Sequence, residues 1–233
     1  MRPEFQSYQS INPNFYPPYP ACPRSKTTPS ELSVRFGQKT FDAEGSEQPG
    51  RYFSREIHWP GGASGVTIGR GYDMGQRTRL QVQRELTYAG LDSASAEMLS
   101  LAAGLRGAAA ERFVTEYKGY APMISLEVQQ SLFEEITTPE VVADIKRILS
   151  KSDVVGRYGT AGWDELPPPV QELLFDLRYR GDYRPDTRAD LQPLIVAQDY
   201  KGLSDLISDY SYWKDLGVPE QRIRERISIL SQE

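Results

Sequence analysis

From residue 78 onward, apolar residues recur at helical spacing. Thr78 is a candidate cap for a helix running through Leu80, Val82 and Leu86 to Gly90. Further helices are predicted over residues 93–105 and 108–118. Another opens at Ser125, with Val128, Leu132, Phe133 and Ile136 on one face. The next starts at Thr138-Pro139, where proline suits the first helical position. Pro167-Pro168-Pro169 stiffens the entry to a sixth, whose Val170, Leu173, Leu174 and Leu177 keep i, i+3, i+4, i+7 spacing. Helices over residues 191–198, 200–208 and 219–230 complete the series.

Before residue 78 the pattern changes. Residues 39–45 read as the end of a helix that stops at Gly45, directly after Glu44. Residues 46–64 read as loop and short strands. The alternation of Val66 and Ile68 with Thr67 and Gly69 predicts a return strand in a small antiparallel sheet. The expected fold class is therefore α+β, mostly α. A sheet lobe covers residues 46–75, a larger helical lobe covers residues 76–233, and a cleft lies between them. Residues 1–34 hold seven of the 17 prolines, mixed with Asn, Ser, Gln and Tyr. Proline blocks helix continuation and removes amide donors, so this segment reads as a flexible leader to a domain over residues 35–233.

Composition narrows the function classes. With 39% apolar residues over 233 positions, one sizeable core or two small lobes can form. A net charge of −5 disfavours a general nucleic-acid binder, which needs a basic surface. No run approaches the ~20 apolar residues of a membrane helix, so membrane insertion is not expected. The single cysteine, Cys22, allows no intrachain disulfide. The single histidine, His58, excludes a metal site with two imidazoles from one chain. His58 itself reads as a solvated loop residue or a lone general base. No metal or organic cofactor is expected.

The chemistry concentrates in two pieces, Phe41-Asp42-Ala43-Glu44-Gly45 and Gly65-Val66-Thr67-Ile68-Gly69-Arg70-Gly71-Tyr72-Asp73-Met74-Gly75. Hydrolysis of a glycosidic bond needs a protonated carboxyl near the leaving oxygen and a second group that stabilises the cation, attacks it or activates water. Glu44 suits the acid: the negative end of a helix dipole and burial against Trp59 would both hold its proton. Asp73, among glycines that let a sugar approach, suits the second carboxylate, and Thr67 offers a hydroxyl to place water. Trp59, Arg70 and Tyr72 are candidates for substrate binding. Arg180 is expected to pair with Asp176 at i, i+4 on a solvated face. From spacing alone, the glycine run serves equally as a turn or bulge device.

These residues resemble a known family. Ala43-Glu44-Gly45 followed by Gly65-Val66-Thr67-Ile68-Gly69-Arg70-Gly71 is similar to the catalytic region of the phage-type lysozymes. The continuation Tyr72-Asp73-Met74-Gly75 is more similar to the pesticin-like muramidases, whose catalytic set runs Glu, Thr, Asp in chain order. Glu44, Thr67 and Asp73 match that order. No carboxylate stands at residues 61–64, where the phage enzymes carry one, so Asp73 is carried over through the pesticin-like pattern, with Glu47 and Glu56 as substitutes. Trp163-Asp164-Glu165-Leu166, Tyr212-Trp213 and the Arg-rich run 222–226 resemble the family's helical lobe.

The resemblance implies a lysozyme-like fold and a cofactor-free, monomeric muramidase. It would cut the β-1,4 bond between N-acetylmuramic acid and N-acetylglucosamine in the glycan strand of peptidoglycan. With no signal peptide visible, the chain is expected to be made in the cytoplasm and to act in the periplasm or cell wall of target bacteria after export. An antibacterial toxin sent by type VI secretion fits this, with an immunity protein as partner and residues 1–34 docking to the secretion machine. A phage endolysin, a lytic transglycosylase and a non-catalytic glycan-binding module are the alternatives.

Overall fold

The computed structural model describes residues 32–51 and 53–231. They are mostly helical, with one short antiparallel hairpin. The short helix α1 (Gln38–Ala43) leads into an irregular stretch, where isolated bridges join Ser46 to Phe53, His58 to Thr67 and Gly65 to Arg106. Strands β1 (Thr67–Ile68) and β2 (Tyr72–Asp73) pair with Thr67 opposite Asp73 and Ile68 opposite Tyr72. Helices α2 (Arg79–Tyr88), α3 (Ser93–Ser100) and α4 (Ala108–Tyr117) follow. Thr78 caps α2 as expected, its hydroxyl accepting the Gln81 amide while the Gln81 side chain reaches back to the Thr78 amide.

The break expected before Thr138 is absent. α5 (Leu126–Ser131), a π-helical segment (Leu132–Thr137) and α6 (Thr138–Leu149) run on as one helix. Pro139 has no amide hydrogen for the carbonyl four residues back, and its ring crowds that turn. The wider π turn just before it makes the room. The chain continues through α7 (Ser152–Tyr158) and α8 (Pro168–Arg180). It ends with α9 (Pro185–Val196), α10 (Tyr200–Ile207), α11 (Tyr210–Asp215) and α12 (Glu220–Leu230). The apolar pattern did not announce α7 or α11, and α9 starts six residues earlier than 191 because Pro185 takes its first position.

Among the described residues there are two hydrophobic cores. One gathers Phe41 of α1 with residues of α6 and α8 through α12, including Phe175, Tyr183 and Trp213. The other gathers Ile57, Val66, Ile68, Tyr72 and Met74 with residues of α2, α3 and α4. The 126–149 helix serves both, giving Val128 and Leu132 to the second and Leu126 and Phe133 to the first. The smaller lobe is thus larger than residues 46–75. A hairpin of two-residue strands exposes too little apolar surface to bury itself, so α2 and α3 close over it. Leu32 is buried and Val34 partly buried on the helical core, so both belong to the packed chain and not to the leader. Residues 1–31 of that segment lie outside the described residues.

The hairpin tip is fastened to the helical lobe. Gly69 and Gly71 have φ of 64° and 90°, a left-handed conformation that suits glycine. Tyr179 of α8 passes so close to Gly71 that its hydroxyl, which donates to the Arg70 carbonyl, fills the place of a β-carbon. The Arg70 side chain turns back beneath α1. Its guanidinium lies 4.1 Å from the Phe41 ring centroid, bonds the Phe41 carbonyl and meets Glu47 at 3.2 Å. Gly71→Ala adds left-handed strain and a clash with Tyr179, and should cost about 2–4 kcal/mol of stability. Urea unfolding of the variant checks this; an unchanged midpoint would mean that the tip is not fastened there.

Candidate functional site

α1 packs through Phe41 into the helical core and ends where Glu44 caps it, the Glu44 amide donating to the Thr40 carbonyl at 3.0 Å. The chain then runs through Gly45, where a β-carbon would come within 2.8 Å of the Arg70 side chain and 2.7 Å of the Ser54 hydroxyl. Gly45 therefore leaves room for that crossing and does not act as a left-handed helix stop. Facing this corner are His58 and Thr67, flanked in sequence by Ile57, Val66 and Ile68 of the second core. A pocket of about 360 Å³ is lined by Ala43, Glu44, Gly45, Ser46, His58, Pro60, Thr67 and Gly71.

Glu44 is three-quarters shielded, with a side-chain exposure of 27%. Its carboxyl pKa is raised, first by burial. Arg222 of α12, 2.8 Å away, opposes the rise, and the nearby Asp176 adds to it. Burial outweighs the guanidinium, so the carboxyl keeps its proton to higher pH than an exposed glutamate. The shielding is not that of Trp59. Trp59 lines a separate cavity of about 420 Å³ with Arg51, Glu111, Val114, Thr115 and Lys118. Neighbours along an extended segment point to opposite faces, which sends His58 toward Glu44 and Trp59 away.

Behind Glu44 stands a buried ionic cluster. Asp176 of α8 is 1% exposed, and its carboxylate meets Arg222 at 2.5 Å and Arg226 at 2.7 Å and accepts the Thr40 hydroxyl at 3.0 Å. Arg226, with no exposed surface, also meets Asp182 at 2.5 Å, and Arg180 meets the same Asp182 at 2.7 Å. This replaces the surface pair expected between Arg180 and Asp176: Asp176 lies on the apolar face of α8, and α12 supplies its partners.

The remaining site candidates divide. Thr67 is 4% exposed and lines the pocket. Asp73 stands opposite Thr67, but its two oxygens accept the Gly75 amide at 2.6 Å and the Gly65 amide at 3.1 Å, and it does not line the pocket. Tyr72 packs in the second core, its hydroxyl donating to Glu85 at 2.6 Å, so it offers no face to a sugar. Arg70 is spent beneath α1. Glu47 is held by Arg70 and by Gln129, and Glu56 by Lys118 at 3.4 Å. His58 is not a solvated loop residue: it is 9% exposed and forms part of the pocket wall. Among the described residues, no group of three or more His, Cys, Asp or Glu is placed to hold a metal ion, and no helix is long and apolar enough to cross a membrane.

Residues 37–227 match the model of a family described as a domain of unknown function, DUF8812, and the chain belongs to that family. No curated protein matches it.

Removing Arg222 would leave Glu44 without its cation and Asp176 with only Arg226. Arg222→Met is expected to cost about 3–5 kcal/mol of folding stability, the range for breaking a buried ion pair on one side. Chemical denaturation measures it, and a loss below about 1 kcal/mol would show that the cluster does not hold α12 to α8.

Proposed function

We propose that this chain is a muramidase that hydrolyses the β-1,4 glycosidic bond of peptidoglycan. The observation that carries the reading is a carboxyl with a raised pKa at the end of α1, sharing one pocket with the Thr67 hydroxyl. Glu44 protonates the leaving oxygen. Thr67 holds the water. Asp73, beside Thr67 on the hairpin, lends negative charge to the developing cation and ties the strand ends together through Gly65 and Gly75. The glycine-lined approach at Gly45 and Gly71 suits the close passage of a sugar ring. In this reading the chain is an antibacterial toxin with a lysozyme-like fold, exported to a rival's cell wall. The Pro/Tyr-rich residues 1–31 dock it to the export machine, and an immunity protein covers the pocket in the producer.

One observation favours a second reading. Asp73 does not line the pocket, so Glu44 is the one carboxyl among its lining residues. A lytic transglycosylase needs only that acid, and the sugar's own 6-hydroxyl replaces water.

Glu44→Gln should fold and lower turnover of purified peptidoglycan about 10²–10⁴-fold, the usual worth of a general acid. Wild-type activity should fall as pH rises through the Glu44 pKa, because the reacting form carries the proton. Mass spectrometry of the products separates the two readings. New reducing ends support hydrolysis, 1,6-anhydro ends support transglycosylation, and neither from wild type would sink both.

A further inference from the structure

The cavity of about 420 Å³ beside Trp59 has no part in the reaction above. Trp59 meets one stripe of α4 and its C-cap there: Glu111, Val114, Thr115 and Lys118, at i, i+3, i+4, i+7 spacing. Arg51 completes the wall. The volume falls in the range of about 300–1,000 Å³ that small-molecule sites occupy.

The lining groups divide by what they can still bond. Lys118 is committed: its ammonium donates to the Gly50 carbonyl at 3.2 Å and meets Glu56 at 3.4 Å. Arg51 is engaged within the protein as well. The Thr115 hydroxyl gives its hydrogen to the Glu111 carbonyl at 2.9 Å, so its oxygen is left as an acceptor. The Glu111 carboxylate, exposed in the first turn of α4, has no side-chain partner among the described residues. Trp59 packs partly on the second core, and its Nε1–H is buried with no acceptor. A buried donor left unpaired costs stability. The ring is thus held for the carbon surface it shows the cavity, and not for a bond of its own.

An apolar ring surface beside acceptor oxygens selects a ligand. An anion would meet Glu111 and would have to draw Lys118 from its present partners. A sugar ring brings a C–H face for Trp59, and hydroxyl and acetamido hydrogens for Glu111 and Thr115. We propose that this cavity binds an N-acetylhexosamine residue of the glycan strand, away from the bond that is cut. The choice of polymer rests on the hydrolase reading above. His58 and Trp59, neighbours on one extended segment, line the two different pockets, so a sugar held beside Trp59 is not the one at Glu44. Peptidoglycan repeats the same sugars along every strand. A second point of attachment makes each return to the first an intramolecular event, which tightens the hold on the polymer with no chemistry of its own.

The chain has three tryptophans, and Trp163 and Trp213 are buried in the helical core. Indole ¹H–¹⁵N spectra therefore give one signal for this cavity and two controls, with Trp59 assigned by its loss in Trp59→Phe. Titrating the full chain carrying Glu44→Gln with tetra-N-acetylchitotetraose should move the Trp59 signal and leave the other two in place. Glu111→Ala, at an exposed helix position, should weaken that response about tenfold, and weaken co-sedimentation with purified peptidoglycan by a similar factor. A Trp59 signal that stays fixed, or a Glu111→Ala chain that responds and sediments like its parent, overturns the second site and leaves the hydrolase reading standing. A wild type that releases no reducing ends from peptidoglycan, while Trp59 still responds to the sugar, overturns that reading and supports the sugar site.

Discussion

Asp176 is the constraint around which the molecule is arranged. A carboxylate with 1% exposure costs several kcal/mol of lost hydration unless cations and donors surround it. Arg222 and Arg226 supply the cations from α12, and Thr40 supplies a hydroxyl from α1. The carboxylate therefore fixes three helices at once. α12 must lie on α8 with both arginines inward, and α1 must end beside them. Glu44, the residue after α1, is delivered to the same guanidinium that neutralises Asp176. Its position follows from the cluster more than from the six residues of α1, which are too few to hold a helix end by themselves.

The cluster also sets a balance at the acid. Placing Arg222 against Glu44 should favour the ionised carboxyl, while the shielded corner and the nearby Asp176 favour the protonated one. The net rise shows that desolvation prevails. A site arranged for stability alone would expose Glu44 or pair it fully with Arg222. Sharing that guanidinium with Asp176 leaves the carboxyl partly compensated, a stability cost that functional sites commonly carry. The second half of the pocket is fixed by different means. The tip between β1 and β2 is fastened by Arg70 beneath α1 and by Tyr179 from α8, so Thr67 and His58 meet Glu44 across two separately packed cores.

Much of the helical framework was legible in the sequence, because apolar periodicity and capping residues act locally. Thr78, Pro168 and the Val170–Leu177 spacing place their helices with little error. The hairpin too was visible in the alternation around Thr67. What was not legible depends on partners distant in sequence. Asp176 sits on the apolar face of α8, and Arg222 and Arg226 lie one turn apart beside the buried Ile223 of α12. Charges on apolar faces were the available sign of a buried cluster, but a solvated i, i+4 pair explained Asp176 locally. Arg70 and Tyr72 followed the glycine motif and so suggested substrate contact. Their burial depends on Phe41, Glu47 and Glu85, which periodicity cannot bring to them. His58 looked solvated because residues 46–64 read only as loop and short strands, with no register to say which way its ring turns. Only its pairing with Thr67 turns the ring inward.

The central claim is that the pocket at the end of α1 holds Glu44 as a protonated acid. Carboxyl ¹³C resonances followed with pH, with Glu44 assigned by its disappearance in Glu44→Gln, test this without any substrate. A Glu44 midpoint above the ordinary glutamate value of about 4.3 is the expected result. A midpoint at or below that value would mean that Arg222 dominates, and would contradict the account.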